Sequence, residues 1–181
     1  MRAFRSVDVP LTKSRFKNAN LDAFKLPNHV LERCMSPALI LYKDSILRNV
    51  KTILKYCNND ASKRRPHLKT TKSSALYELL IQEGLTKFKV ATTREARVIA
   101  NSLKSTGTQG GDVLVAYPLQ GPNLTHLESI ASEFPDINFS VLVESECGVH
   151  SIPSSARLSL FVDINVGQNR TVFVFPFSKL Q

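Results

Sequence analysis

The chain has 181 residues, of which 43% are hydrophobic, so it is long enough for one domain with an apolar core and is not a wholly disordered chain. No apolar run approaches the ~20 residues that a membrane helix needs. The net charge is +9, but the basic residues are scattered and no nucleic-acid-binding motif is present. We therefore expect a charged, solvated surface and no nucleic-acid or membrane partner.

The amino terminus is basic. The first twenty residues hold five lysines and arginines but a single acid, Asp8. We predict a disordered arm over residues 1–25, with an organelle transit peptide as the alternative. The expected compartment is the cytoplasm, with the mitochondrion as the alternative. The widely spaced Cys34, Cys57 and Cys147 are expected to be free thiols in a reducing compartment.

The first predicted elements run to Gly84. The apolar residues 38–42 after Pro37 predict a short strand, and Asp44 or Ser45 is a candidate cap for the helix that follows. Residues 65–70 are predicted to be extended. A second helix is expected after Ser73 or Ser74 and ends near Gly84.

Strands and helices then alternate in units of about 25 residues. Strands are predicted at 87–92, 112–118, 137–145 and 156–167, and helices at 93–103, 123–134 and briefly at 146–151. Thr92 or Thr93 is the expected cap of the first of these helices, with Glu95 in its first turn. This α/β alternation, with strands that are apolar along most of their length, indicates a parallel sheet with helices outside it. A doubly wound open sheet and a (β/α)-barrel both fit, although no G-x-G-x-x-G motif follows the first strand.

The strand count favours an incomplete barrel. We count five or six strands, whereas a closed TIM-type barrel of this kind needs eight. After Arg170 the chain becomes an apolar, aromatic segment. The predicted fold is thus a partial (β/α)8 TIM-type barrel, with parallel strands and alternating helices, truncated before closure.

Lys69 is the first candidate for chemistry, because it follows a predicted strand. In barrels of this type the carboxyl ends of the strands hold the reacting groups. An amine without its hydration shell, in an apolar barrel mouth, would be a competent nucleophile toward an aldehyde. A lone lysine after a strand is nevertheless more often a solvated surface residue.

Five ordered segments resemble one enzyme family. The segment "RPHLKTTKS" is similar to the R-P-H-x-K-T-H-K signature of the D-threonine aldolase and D-serine dehydratase family, whose N-terminal barrel is like that of alanine racemase. The other four matching segments are "SPALILYKDSILRNV", "KVATTREARVIA", "DVLVAYPLQGPN" and "FVDINVGQNRTV". The resemblance implies a barrel domain over residues 26–172, a divergent tail at 173–181, and no C-terminal β-domain.

The resemblance also implies a cofactor and its site. Lys69 would bind pyridoxal 5'-phosphate covalently, Arg170 would lie near the phenolic oxygen of its ring, and Gln168 would orient Arg170 or the ring. Tyr117 would line the pocket, with a core or rim position as the alternative. His67 would support Lys69 from the same strand face, with a structural role as the alternative. Arg65 is interpreted as a further strand neighbour of Lys69, and Lys72 as a helix-start or surface cation.

The implied activity is that of a lyase acting on D-β-hydroxy amino acids, by D-threonine aldol cleavage or D-serine dehydration. A divalent metal, zinc or manganese, is expected only in full-length relatives. We predict no metal-ligating residue in this chain. Thr71 stands where the family has histidine. We expect a truncated member with little or no activity, and a homodimer is left open. The alternatives are a non-catalytic cofactor-binding homeostasis protein or a basic interaction module.

Overall fold

The computed structural model describes residues 25–165. Predictions for the basic arm up to residue 24, and for Gln168, Arg170 and the tail, lie outside the described residues. The chain divides into two compact units, Met1–Leu41 and Tyr42–Gln181. The described part of the first unit holds one short helix, α1 (Asn28–Leu31). Within residues 25–165, no helix is both long enough and apolar enough to cross a bilayer.

The described part of the second unit alternates helices and strands. In chain order these are α2 (Lys43–Tyr56), a 3₁₀ turn (Ala61–Lys63), α3 (Ser74–Gln82), β1 (Lys87–Val90), α4 (Thr93–Ser105), β2 (Gly111–Val115), α5 (Pro122–Glu133), β3 (Ile137–Val143), α6 (Glu146–His150) and β4 (Leu158–Val162). The predicted alternation is confirmed from α3 to β4. The three cysteines are free thiols, as predicted.

The predicted strand at 38–42 is wrong. These residues form no strand, and most of them are exposed. No described strand pairs with them, and an isolated strand leaves its backbone hydrogen-bonding groups unsatisfied. The predicted cap is also wrong, because α2 begins at Lys43 and Tyr42 holds the cap position without a side-chain hydrogen bond. The Ser45 hydroxyl instead accepts a hydrogen bond from the Arg48 guanidinium at 2.9 Å.

The sheet order decides between the two predicted architectures. The strands lie in the order β1-β2-β3-β4, and every neighbouring pair is parallel. A doubly wound sheet reverses its strand order at a switch point, whereas this order never reverses. Right-handed crossovers in a sequential sheet place every connecting helix on the same face. The fold is therefore part of a singly wound (β/α)-barrel.

The strand register sorts the side chains onto two faces. Phe88, Val113 and Phe139 form one lateral row of the helix-packed face, and all three are fully buried. The next row on that face is Val90, Val115 and Val141, which are also fully buried. Large apolar side chains of the helices complete this core: Ile99, Leu103, Leu127 and Ile130. We call the opposite face, which carries Lys89, Asp112, Ser140 and Phe161, the inner face.

The start of α4 is fixed by a reciprocal cap. The Thr92 hydroxyl accepts a hydrogen bond from the Glu95 N–H at 3.1 Å, as the sequence predicted. The Glu95 carboxylate in turn accepts one from the Ala91 N–H at 2.8 Å. Together these bonds satisfy N–H donors that a helix terminus leaves open, and they place α4 directly after β1.

Residues 66–68 extend the sheet beyond β1. His67 pairs in parallel with Lys89. Two backbone hydrogen bonds hold the pair, from Leu68 N–H to the Lys89 carbonyl at 2.8 Å and from Lys89 N–H to the Pro66 carbonyl at 2.9 Å. We call residues 66–68 the edge segment. The predicted extended stretch 65–70 is therefore shortened, because the chain turns at Lys69.

Replacing Phe139 with alanine tests the helix-packed face. Phe139 is fully buried in a central strand, and removal of such a side chain destabilises a fold by about 3–5 kcal/mol. Urea unfolding should report a loss of this size. The matched control is Tyr56→Ala, an equal truncation of a side chain that is 87% exposed. That change should cost less than about 0.5 kcal/mol, and equal losses for both variants would contradict the described packing.

Candidate functional site

Lys69 lies in a tight turn that follows the edge segment. The Leu68 carbonyl accepts hydrogen bonds from the Thr71 N–H at 3.2 Å and the Lys72 N–H at 3.3 Å. It also accepts from the Thr71 hydroxyl at 3.2 Å and the Tyr77 hydroxyl at 3.4 Å. These bonds fix the turn at the carboxyl end of the sheet. They are the local reason that the extended segment stops before Lys69.

Lys69 is exposed, which corrects the expectation that its amine would be shielded from water. The four strands and the edge segment do not enclose their inner face. Phe161 of β4, which lies on that face, remains 41% exposed. An open sheet cannot exclude water from its carboxyl edge, so the described residues leave the lysine accessible.

Thr71 has a structural contact where the family motif has histidine. Its hydroxyl donates to the Leu68 carbonyl within the same turn. A hydroxyl held in this way stabilises the position of Lys69. It does not offer the proton-accepting nitrogen that an imidazole would supply.

His67 lies directly beside Lys69. Its Nδ1 is 3.0 Å from the Lys89 carbonyl oxygen, a contact that only the tautomer with a proton on Nδ1 can make. A longer contact from the Lys69 N–H to the same nitrogen, at 3.4 Å, needs the other tautomer, so we assign the proton to Nδ1 from the shorter contact. Burial lowers the pKa of His67, and the charges of Lys89 and Lys69 lower it further, against the raising effect of the Lys89 carbonyl. The neutral imidazole therefore keeps a lone pair at Nε2.

A buried carboxylate lies next to this turn, and the sequence analysis treated it only as a helix cap. Glu95 is 7% exposed, and its Oε1 is 3.8 Å from Nζ of Lys72. Lys72, expected to be a helix-start or surface cation, thus has an acidic partner. The pKa of Tyr77 is raised, mainly by burial and then by the negative charge of Glu95. The T-x-x-E spacing was the signal for Glu95, but spacing alone did not place it beside Lys72.

Arg65 provides the main polar contacts of the inner face. Its guanidinium donates to both carboxylate oxygens of Asp112, at 2.9 and 2.5 Å, and to the Phe88 and Asp112 carbonyls at 3.3 Å. It also lies 5.6 Å from the centre of the Phe161 ring. The sequence analysis named Arg65 only as a neighbour of Lys69. It missed Asp112 and Phe161, since neither follows a strand end.

Tyr117 occupies a different part of the carboxyl edge. It is 62% exposed and lines a pocket of about 400 Å³ with Asn123, Glu144 and Ser145, beside the ends of β2 and β3. No described contact joins Tyr117 to Lys69 or His67. Among residues 25–165, no group of three or more histidine, cysteine and acidic side chains is arranged to hold a metal ion.

The fold and the site define a class. A singly wound parallel sheet with its connecting helices on one face is the arrangement of (β/α)-barrel proteins, whose sites lie at the carboxyl edge of the strands.

Comparison with known proteins adds one relative within this class. The structure of D-threonine aldolase from Filomicrobium marinum is similar to this chain, with a TM-score of 0.61 and 25% sequence identity. The similarity covers 76% of this chain and 37% of that chain. This chain thus spans little more than a third of that protein. No family model and no curated protein matches the sequence.

The titration of His67 tests the geometry around the turn. Because burial lowers its pKa, an NMR titration should give a midpoint below 6.5 for this imidazole, with the signal assigned by its loss in His67→Gln. The folded-state pKa lies below the unfolded value, so acidification through this window favours the unfolded chain. His67→Gln should therefore lose less stability than the parent between about pH 7.5 and pH 5. A midpoint at or above 6.5 would contradict the described environment.

Proposed function

We propose that this chain forms the lysine-bearing part of a pyridoxal-phosphate-binding barrel of the D-threonine aldolase type. The observation that carries the proposal is the position of Lys69. It follows a parallel edge segment at the carboxyl end of a sequential sheet, in a fold similar to that of D-threonine aldolase. The motif around Lys69, "RPHLKTTKS", supports the same residue independently of the fold.

The described residues fit an anionic aldehyde cofactor in two respects. Lys69 offers an accessible primary amine in a turn fixed by hydrogen bonds. Lys72 and Lys89 add positive charge nearby, and of these two only Lys72 has a described ion pair, which is long at 3.8 Å and joins an exposed lysine to the buried Glu95. Pyridoxal phosphate, when bound, supplies an electron sink for negative charge at the α-carbon of an amino acid.

The protein's own residues would then hold the cofactor and move protons. Lys69 would bind the cofactor through Nζ and release it when a substrate amine takes its place. His67 is the adjacent neutral base, and its Nε2 can accept a proton because Nδ1 is committed to the Lys89 carbonyl. Tyr117 would line the substrate side of the edge. Arg170 and Gln168, outside the described residues, are proposed to contact the ring.

The proposed substrates are D-β-hydroxy amino acids. Loss of the β-hydroxyl proton would break the Cα–Cβ bond and give glycine and an aldehyde. Loss of the Cα proton followed by departure of the hydroxyl would give an α-keto acid and ammonia. A metal that binds the β-hydroxyl would assist either route in full-length relatives, and its ligands are not among the residues proposed here.

A second candidate is cofactor binding without turnover, and the exposure of Lys69 favours it. Catalysis on such a cofactor benefits from a site closed to water, whereas Lys69 is exposed. A protein that holds pyridoxal phosphate for transfer or storage needs the accessible amine without the closed site.

Borohydride trapping tests the proposed function. Incubation with pyridoxal phosphate and reduction should fix the cofactor to Lys69, because that lysine combines accessibility with a fixed turn. Peptide mass spectrometry locates the label. Lys69→Ala should remove at least about nine-tenths of the label.

Lys51→Ala is the matched control, since Lys51 is an exposed lysine of α2 with no part in the proposed site, and it should keep the label at Lys69. Aldehyde or α-keto acid release from D-threonine and D-serine, measured in parallel, separates catalysis from binding alone. Labelling spread evenly over surface lysines in the parent and in both variants would contradict the proposal.

A further inference from the structure

The edge segment that leads into Lys69 has few backbone ties to the sheet. Only two backbone hydrogen bonds are described between it and β1, one from Leu68 N–H and one to the Pro66 carbonyl. Its far side has no described strand partner among residues 25–165. An edge held by two bonds opens easily, and local opening of this kind would move Lys69.

Arg65 supplies the missing attachment. It precedes the edge segment by one residue, and its guanidinium reaches past β1 to Asp112 of β2. The contact is bidentate, which fixes the direction of the side chain as well as its distance. The same guanidinium donates to two backbone carbonyls, those of Phe88 and Asp112. One side chain therefore ties the segment to two strands.

Arg65 also reaches the far side of the sheet. Neighbouring strands lie about 4.8 Å apart, so the backbones of the edge segment and β4 would be roughly 19 Å apart in a flat sheet. The guanidinium nevertheless lies 5.6 Å from the centre of the Phe161 ring on β4. The two side chains meet over the middle strands, which indicates that the sheet curves toward its inner face.

The Arg65–Asp112 pair is partly shielded from water. Both side chains are 21% exposed. Ion pairs on the open surface contribute little to stability, and the side chains of this pair are less exposed than those. Asp112 also pairs in register with Lys87 of the neighbouring strand β1. A lysine at position 65 would keep the charge but lose the two-pronged contact and the guanidinium's contact with the Phe161 ring.

We propose that Arg65 is a positioning residue: by joining Asp112 and Phe161 across the inner face, it sets the position of Lys69 and the curvature of the sheet together. The inference rests on the proposed function for its catalytic meaning. The anchoring of the edge segment, however, can be measured without any cofactor.

Arg65→Lys tests the anchoring, with Arg64→Lys as the matched control. Arg64 is the adjacent, half-buried arginine, and its side chain has no hydrogen bond or ion pair with the described residues. Hydrogen exchange by NMR should show the Leu68 amide exchanging about 10-fold or more faster in Arg65→Lys, and within about 2-fold of the parent in Arg64→Lys. Amides of the buried β3 should exchange as in the parent in both variants.

The second readout is the apparent affinity for pyridoxal phosphate, from the visible absorbance of the Lys69 adduct. Arg65→Lys and Asp112→Asn should each weaken it at least about 5-fold, and the double variant should be no weaker than the weaker single variant, because both changes break one contact. If Arg65 had a purely structural role, its replacement would lower the unfolding midpoint without this non-additive loss of affinity for pyridoxal phosphate.

The two readouts separate the possible failures. Faster Leu68 exchange with weaker binding supports the inference. Unchanged exchange in Arg65→Lys, or additive losses of affinity, overturns it. If the parent itself gives no Lys69 adduct, the proposed function is overturned, and the exchange rates then support or overturn the anchoring role by themselves.

Discussion

Burial of one face of a parallel sheet against its connecting helices is the constraint on which the described structure depends. The rows that contain Phe88, Val113 and Phe139, and Val90, Val115 and Val141, lose all contact with water on that face. Burial of this kind is the main favourable term in folding. Because every helix lies on the same side, the other face carries mixed side chains, among them Lys89, Asp112 and the buried Leu114 and Ser140. The candidate site belongs to that second face and to its carboxyl edge.

The edge segment links this core to the chemistry. Leu68 points into the helix-packed core and is 2% exposed. Its carbonyl accepts the hydrogen bonds that form the Lys69 turn. Side chains alternate along an extended segment, so Arg65 and His67 point away from the core. They face the inner side with Asp112 and Lys89. A single extended tripeptide thus joins the buried core, the ion pair and the exposed lysine. A change to the core or to the ion pair would therefore alter the position of the Lys69 amine.

The sequence predicted much of the fold, because the apolar strands β1 to β4 alternate along the chain with helices whose ends are recognisable from the sequence. Thr92 was recognised as a cap from its position before an apolar helix. The run at 38–42 was misread because apolar character alone does not supply a strand partner. Lys69 and His67 were found from their motif, but their exposure depends on how many strands surround them. Arg65, Asp112 and Phe161 are distant in sequence, and only the register and curvature of the sheet bring them together.

The account depends on Lys69 being the residue that binds pyridoxal phosphate at this edge. A high-resolution structure of the borohydride-reduced complex tests it most directly. We expect electron density running without a break from Nζ of Lys69 into the pyridine ring, above a sheet whose order is β1-β2-β3-β4. Density joined to another lysine, or an ordered sheet with an unmodified Lys69, would contradict the account.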